Sequence, residues 1–251
     1  MFKPPAWMLF TVALLTGPAR AADIEVLTAG AMKPLLQAVA GDFERETGHH
    51  LKLQTDTAGA LTRRVLAGEP FDLVIVTASG LQQLAAAGKV DGATGRSVAR
   101  VGIGLAVKQG APLPDIASVA AFKQALLAAR AVALIDPAAG GSSGIYLAQL
   151  FERLGMAAEM SAKSVRVPGG LVAARLLSGE ADIALQQITE LHAVPGVTVV
   201  GPIPDEIQNF SVYAAGVSSA STRAAAALTF IDSLGSASTR ALLPATAMLP
   251  P

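Results

Sequence analysis

IEVLTAGAMKPLLQAVAGDFERETGHHLKLQTDTAGALTRRVLAGEPFDLVIVTAS, residues 24–79, decides the fold class, because strand-length apolar runs alternate in it with helix-period stretches. Ile24 to Thr28 reads as a strand, and Met32 to Thr47 as a helix whose apolar Leu35, Leu36, Val39 and Phe43 share one face. Gly48 stops that helix, and Leu51 to Gln54 alternates with period two as a short strand. Leu61 to Ala67 is a helix ended by Gly68, Phe71 to Thr77 a buried strand, and Leu81 to Ala87 a helix capped by Gly88. This βαβαβα order predicts parallel strands with helices on the faces of a sheet.

The alternation continues to the C-terminus. Strands are expected at Arg100 to Val107, Ala131 to Ile135, Ser164 to Val167, Ile183 to Gln186, Val197 to Val200 and Asn209 to Val217. Helices are expected at Val119 to Ala129, Gly144 to Leu154, Leu171 to Leu177, Thr222 to Leu234 and near Thr239. The long strands at 101–107 and 210–216 bracket a self-contained α/β segment, as if the chain crossed twice between two lobes. That division assigns residues 22–100 plus 209–251 to one lobe and 101–208 to the other; a single α/β domain with one large sheet is the alternative.

Composition narrows the function classes. The 251 residues are 52% hydrophobic and 15% charged, which excludes a disordered chain. Nineteen basic and nineteen acidic residues leave no basic excess to hold a phosphate backbone, so nucleic acid is not expected as a partner. There is no cysteine, hence no disulfide scaffold, thiolate metal site or cysteine nucleophile. At the N-terminus, Lys3 precedes the apolar run Ala6 to Leu15, Gly17 and Pro18 break it, and Ala19 and Ala21 sit at −3 and −1 of a cut after Ala21. Residues 1–21 therefore read as a secretory signal peptide and the product as periplasmic. Without a cysteine it is not a lipoprotein.

Four strand-to-helix turns carry small, hydroxyl-bearing or glycine residues: Thr28 to Ala31, Thr55 to Gly59, Ala139 to Gly144, and Val167 to Gly170. A helix N-terminus offers unpaired N–H groups and about half a positive charge, so converging turns of this kind make an anion site. Each turn by itself also suits ordinary helix capping. Other chemistries lack their signatures. His49, His50 and His192 show no metal-ligand spacing, Thr77-Ala78-Ser79-Gly80 is not a nucleophile elbow, and Asp136 to Gly144 lacks the Gly-Lys-Ser/Thr of a phosphate-binding loop. No metal site and no cofactor are expected. Arg63, Arg64 and Arg175 lie in helices near these turns, facing either solvent or an anionic guest.

With these turns in hand, the chain resembles the molybdate-binding family of periplasmic solute-binding proteins from about Ile24 to Leu243. The matching pieces are residues 24–49 and 55–79 of the stretch quoted above, IDPAAGGSSGIYLAQLFERLG (residues 135–155), and VPGGLVAARLLSGEADIALQQITEL (residues 167–191). The resemblance implies a type II periplasmic binding fold: α/β, two-lobed, with mixed sheets, helices on both faces and an interlobe cleft. It also implies a monomeric receptor that captures a small anion and hands it to an ABC-type membrane permease. The family's oxyanion contacts are serine hydroxyls, backbone N–H groups and a tyrosine hydroxyl, and they fall here on Ala31, Ala58, Ser143, Val167 and Gln187. Hydrogen bonds to a charged group contribute about 1.5–3 kcal/mol each, so the lost hydroxyls point from a tetrahedral oxyanion to an organic carboxylate. The expected ligand-binding set is Gly30, Ala31, Ala58, Gly59, Ser142, Ser143, Val167, Gly169 and Gln187, the last offering its amide. Some proteins that resemble the family isomerise aconitate. In that alternative Lys33, Arg63, Arg64 and Arg175 would clamp carboxylates and Asp56 would serve as base.

Overall fold

A computed structural model describes residues 21–251. The expected signal peptide therefore lies, except for Ala21, outside the described residues. Ten strands and ten α-helices alternate in two five-stranded sheets.

In the first sheet, β1 (Asp23–Ala29) lies parallel to β2 (His50–Asp56) and to β3 (Leu73–Thr77). Between them run α1 (Lys33–Thr47) and α2 (Ala58–Leu66), and α3 (Ala78–Ala86) follows β3. α1 buries Leu35, Leu36, Val39 and Phe43, as its periodicity predicts, and ends where Gly48 takes a left-handed φ of 74°. β4 (Arg96–Val101) leads to β5 (Ile103–Lys108), the first strand of the second sheet. α4 (Val119–Ala128), β6 (Val132–Ile135), α5 (Ser142–Arg153), α6 (Ala157–Lys163) and β7 (Ser164–Val167) come next. α7 (Ala174–Leu177), β8 (Ile183–Gln187), α8 (Ile188–His192) and β9 (Val197–Pro202) complete that half. The chain then returns to the first sheet as β10 (Ser211–Val217), followed by α9 (Ala224–Leu234) and α10 (Ala237–Leu242).

The sheet orders are β2-β1-β3-β10-β4 and β7-β6-β8-β5-β9. Each therefore joins three parallel strands to an antiparallel pair: β10 runs against both β3 and β4, and β5 against both β8 and β9. Separate apolar cores form around them. Leu27, Ile75, Leu61, Leu35 and Phe230 lie in the first; Phe122, Leu147, Leu105 and Leu185 pack on one face of the second sheet, and Val172, Leu176 and Leu191 on the other. Residues buried to this degree contribute about 1.5–3 kcal/mol each relative to exposure.

Three expectations need correction. Arg100 to Val107 is not one strand: it divides at Gly102 into β4 and β5, which belong to different sheets. A side chain at Gly102 would press on Gln208 and Phe210. Gln208 also occupies the backbone of Ile103, accepting from its N–H at 2.8 Å and donating to its carbonyl at 2.9 Å. The second long strand starts at Ser211 and lies wholly in the first sheet. Finally, α6 and α8 were not expected, because seven and five residues are too few to display a helical period.

Candidate functional site

The turns at the carboxyl ends of β1, β2, β6 and β7 converge on one cleft between the two sheets. Its volume is about 600 Å³, and it is lined by Gly30, Ala31, Ala58, Ser142, Ser143, Gly169 and Gln187 among the expected ligand residues, together with Lys33 and Asp56. The remaining expected residues sit elsewhere. Gly59 and Arg63 line an adjoining groove of about 660 Å³. Val167 is a buried sheet residue whose carbonyl accepts the Asp136 N–H at 2.8 Å. Arg175 pairs with Glu180 at 2.9 Å and does not line the cleft. A larger depression of about 790 Å³ opens at the opposite end of the first sheet, but its central carboxylate, Asp72, is already taken by Ser221 and Arg223.

The donors of the cleft come from backbone. α5 has no side-chain cap at Gly141, and the short 3-10 turn Gly30–Met32 has none at Ala29. Their leading N–H groups therefore remain for a guest. At α2, Thr57 caps the Ala60 N–H, and the Gly59 N–H donates to the Gly140 carbonyl at 2.9 Å. The Ala139 carbonyl accepts from Thr57 Oγ1 at 2.6 Å and from Arg63 at 3.1 Å. These bonds clasp the first sheet's α2 turn to the second sheet's β6–α5 turn. The clasp requires glycine, since a Cβ on Gly59 would stand 2.7 Å from the Gly140 oxygen. Gly59 thus serves the clasp with its amide, not the guest.

Gln187 also departs from its expected role. Its side chain is buried, with the amide nitrogen 3.0 Å from the carbonyls of Val101 and Gly102 and the oxygen 3.0 Å from the hydroxyls of Ser142 and Ser211. The amide is committed to four protein partners and has no donor left for a ligand. A hydroxyl nonetheless reaches the cleft from another strand. Tyr213 on β10 is buried at the cleft wall with its phenol 3.1 Å from Ser142 Oγ. Burial and the neighbouring Glu190 carboxyl push the phenol's pKa up, so it stays protonated. Because Ser142 donates its own hydrogen to the Gln187 oxygen, the Tyr213 O–H is given to Ser142 Oγ, and the phenol faces the cleft with its lone pairs.

Charge in the cleft is sparse. Lys33 is exposed at the rim and makes no ion pair among the described residues. Asp56 accepts from its own turn at Thr57 N (2.7 Å) and from Arg64 at 3.2 Å, while Arg64 also grips Glu69. Asp56 is therefore an anchored carboxylate and Arg64 a neutralised cation, which leaves neither free for the roles expected of them. One ionisable group of the cleft is absent from the set expected from the sequence. Glu190, in the first turn of α8, is half-buried in the lining, and loss of solvent raises its pKa to about 8 despite a hydrogen bond from Gln186. Gln186 itself shapes the fourth turn, donating to the Gly170 carbonyl at 2.8 Å and accepting from the Val172 N–H at 2.9 Å. Thr189 Oγ1 donates to the Ala31 carbonyl at 2.9 Å and ties α8 to the first turn. The acid in the segment QQITEL, residues 186–191, was the only available signal.

Residues 24–246 match the family model for bacterial extracellular solute-binding proteins. The chain belongs to that family. This solute-binding protein is also 35% identical over 242 residues to an aconitate isomerase from Pseudomonas sp, an alignment covering 92% of this chain and 91% of the relative. Its fold is shared with a periplasmic molybdate-binding protein from Azotobacter vinelandii (TM-score 0.75, 17% identity, 92% of this chain and 100% of that one). A sulfate-binding protein from Mycobacterium tuberculosis H37Rv has the same fold (TM-score 0.72, 18% identity, 91% and 87%). Both sheets of this solute-binding protein thus fall within the two-lobed architecture, with mixed strands and helices on both faces. No helix among the described residues is long and apolar enough to cross a membrane, and none of their His, Asp and Glu side chains cluster as a metal site.

Proposed function

We propose that this solute-binding protein captures a small organic polycarboxylate in the cleft between its sheets. The observation that carries this reading is the donor set: open N–H groups at the α5 and β1 turns and the Lys33 ammonium, around about 600 Å³ of space. Pockets for organic ligands occupy about 300–1,000 Å³. With alanine at 31 and 58, and glutamine 187 committed elsewhere, few side-chain hydroxyls remain to enclose four oxygens of a tetrahedral anion. Ligand contacts are proposed at Gly30, Ala31, Ala58, Ser142, Ser143 and Gly169. The proposed lobes are 22–100 plus 209–251 and 101–208, with passages at Gly102 and at residues 203–210. In this reading the protein works in the periplasm as a monomer and delivers its cargo to an ABC-type permease.

A second reading, isomerisation of aconitate, is favoured by the 35% identity to an aconitate isomerase along nearly the whole chain. That reaction removes a proton from one carbon of the tricarboxylate, shifts the double bond, and returns a proton to another carbon. A carboxyl titrating at about 8 is suited to such a transfer, which supports Glu190 rather than Asp56 for the acid–base role in this reading. Calorimetric titration with citrate, cis- and trans-aconitate and molybdate tests the first reading, and aconitate absorbance tests the second. Carboxylate binding with unchanged spectra is expected for a receptor, and changing spectra for an isomerase. Tight molybdate binding with no response to the carboxylates overturns both.

A further inference from the structure

Glu190 stands where an anion receptor would be expected to avoid a carboxylate. Its Oε1 lies so close to the first turn that a methyl on Gly30 would collide with it, and its side chain opens into the same cleft as the N-termini of α2 and α5. It forms no ion pair among the described residues. Tyr213 from β10 is its ionisable neighbour; Lys33 from α1 and Asp56 from the end of β2 line the same cleft, and His192 is exposed on its own helix. Asp56 is paired with Arg64, and Lys33 stands at the rim without reaching Glu190 as an ion pair.

We propose that Glu190 meets the guest as a neutral carboxylic acid and donates an O–H hydrogen bond to a carboxylate oxygen of the bound polycarboxylate, keeping its proton, so that capture at alkaline pH takes up one proton from solvent. This rests on the polycarboxylate reading. An ionised Glu190 would face the guest with like charge in a poorly solvated site, whereas the acid form supplies the O–H donor that alanines at 31 and 58 do not. Enclosure by protein holds the carboxyl protonated to about pH 8, so the donor form predominates at neutrality. The bound anion stabilises that form further, since each favours the other by the same factor.

The test is calorimetry with citrate and trans-aconitate, both fully ionised from about pH 7.5 to 9.5, in two buffers of different ionisation enthalpy. Wild-type affinity is expected to fall about tenfold per pH unit above the Glu190 midpoint, with proton uptake rising toward one per ligand. Glu190→Gln keeps a neutral donor at every pH; its affinity should be flat over the same range and its heats independent of buffer. Wild-type binding that is flat and buffer-independent overturns the inference and leaves the polycarboxylate reading standing. Failure of both ligands to bind at any pH overturns that reading and the inference with it. A carboxyl carbon NMR titration of the ligand-free protein gives a separate check: a Glu190 midpoint in the ordinary glutamate range refutes the neutral donor.

Discussion

Replacing Gln187 by methionine separates its two conceivable roles, ligand donor and structural latch. Methionine fills almost the same volume but can neither donate to the carbonyls of Val101 and Gly102 nor accept from Ser142 and Ser211, all four now at 3.0 Å. Two of the partners are compensated: the Gly102 carbonyl keeps the Ile188 N–H at 3.0 Å, and Ser142 keeps Tyr213 at 3.1 Å. An abandoned buried partner costs about 1–3 kcal/mol, so the two uncompensated ones come to roughly 2–6 kcal/mol. For a chain of this length that lowers Tm by roughly 4–24 °C. The amide joins both passages between the sheets, Val101–Gly102 and the start of β10, so the loss should loosen one half against the other. The assay is thermal unfolding of the ligand-free protein by circular dichroism and calorimetry, beside titration with citrate. A Gln187→Met variant with unchanged Tm but abolished citrate binding refutes the latch and restores the ligand-donor role.

Gly59→Ala places a methyl 2.7 Å from the Gly140 oxygen and 2.8 Å from its Cα, both backbone atoms that cannot swing aside. Opening the clasp, with its bonds from Gly59, Thr57 and Arg63, is expected to weaken citrate binding roughly tenfold or more, at about 1.4 kcal/mol per factor of ten; equal affinities would show that the clasp does not support the cleft. Glu190 also predicts a pH signature of stability without ligand. Its folded pKa, about 8, is raised above the ordinary 4.5, so its contribution is present in full below pH 4.5 and is lost as pH rises toward 8. Glu190→Gln should therefore match wild type near pH 4.5 and exceed its Tm near pH 8, as differential scanning calorimetry will show; a constant difference across that range contradicts the assignment. Glu69 acts in the opposite sense, since the Arg64 guanidinium lowers its pKa: that stabilisation is present above 4.5 and fades as pH falls below it. Arg64→Ala is expected to remove this acid-side dependence at a cost under about 1 kcal/mol, because the pair is partly solvated, and chemical denaturation at several pH values measures it.

The alternation of strands and helices, the faces that α1 buries and the turns that gather small residues were all legible along the chain, because each depends on neighbours within a few positions. The four turns named from the sequence all line one cleft, although Val167 and Gly59 within them do not. Composition and periodicity were silent on what the polar side chains do there. Arg100 to Val107 reads as one strand because only glycines interrupt its apolar run; in the fold it divides at Gly102, where Phe210 and Gln208 pack close to the backbone. Gln187, named as a ligand donor, turns out to be occupied by residues 24, 45, 85 and 86 positions away.

Sequence alone thus determined an α/β chain with small residues gathered at its helix N-termini, since local periodicity and capping chemistry are short-range properties. Tertiary structure alone decided which groups in the cleft are left without a protein partner. Asp56 is held by Arg64, Gly59 is spent on the clasp, and Glu190 carries a raised pKa against Gly30, 160 residues earlier in the chain. The reason is that availability of a proton or a lone pair depends on partners and solvent brought together by folding, and no spacing along the chain records them.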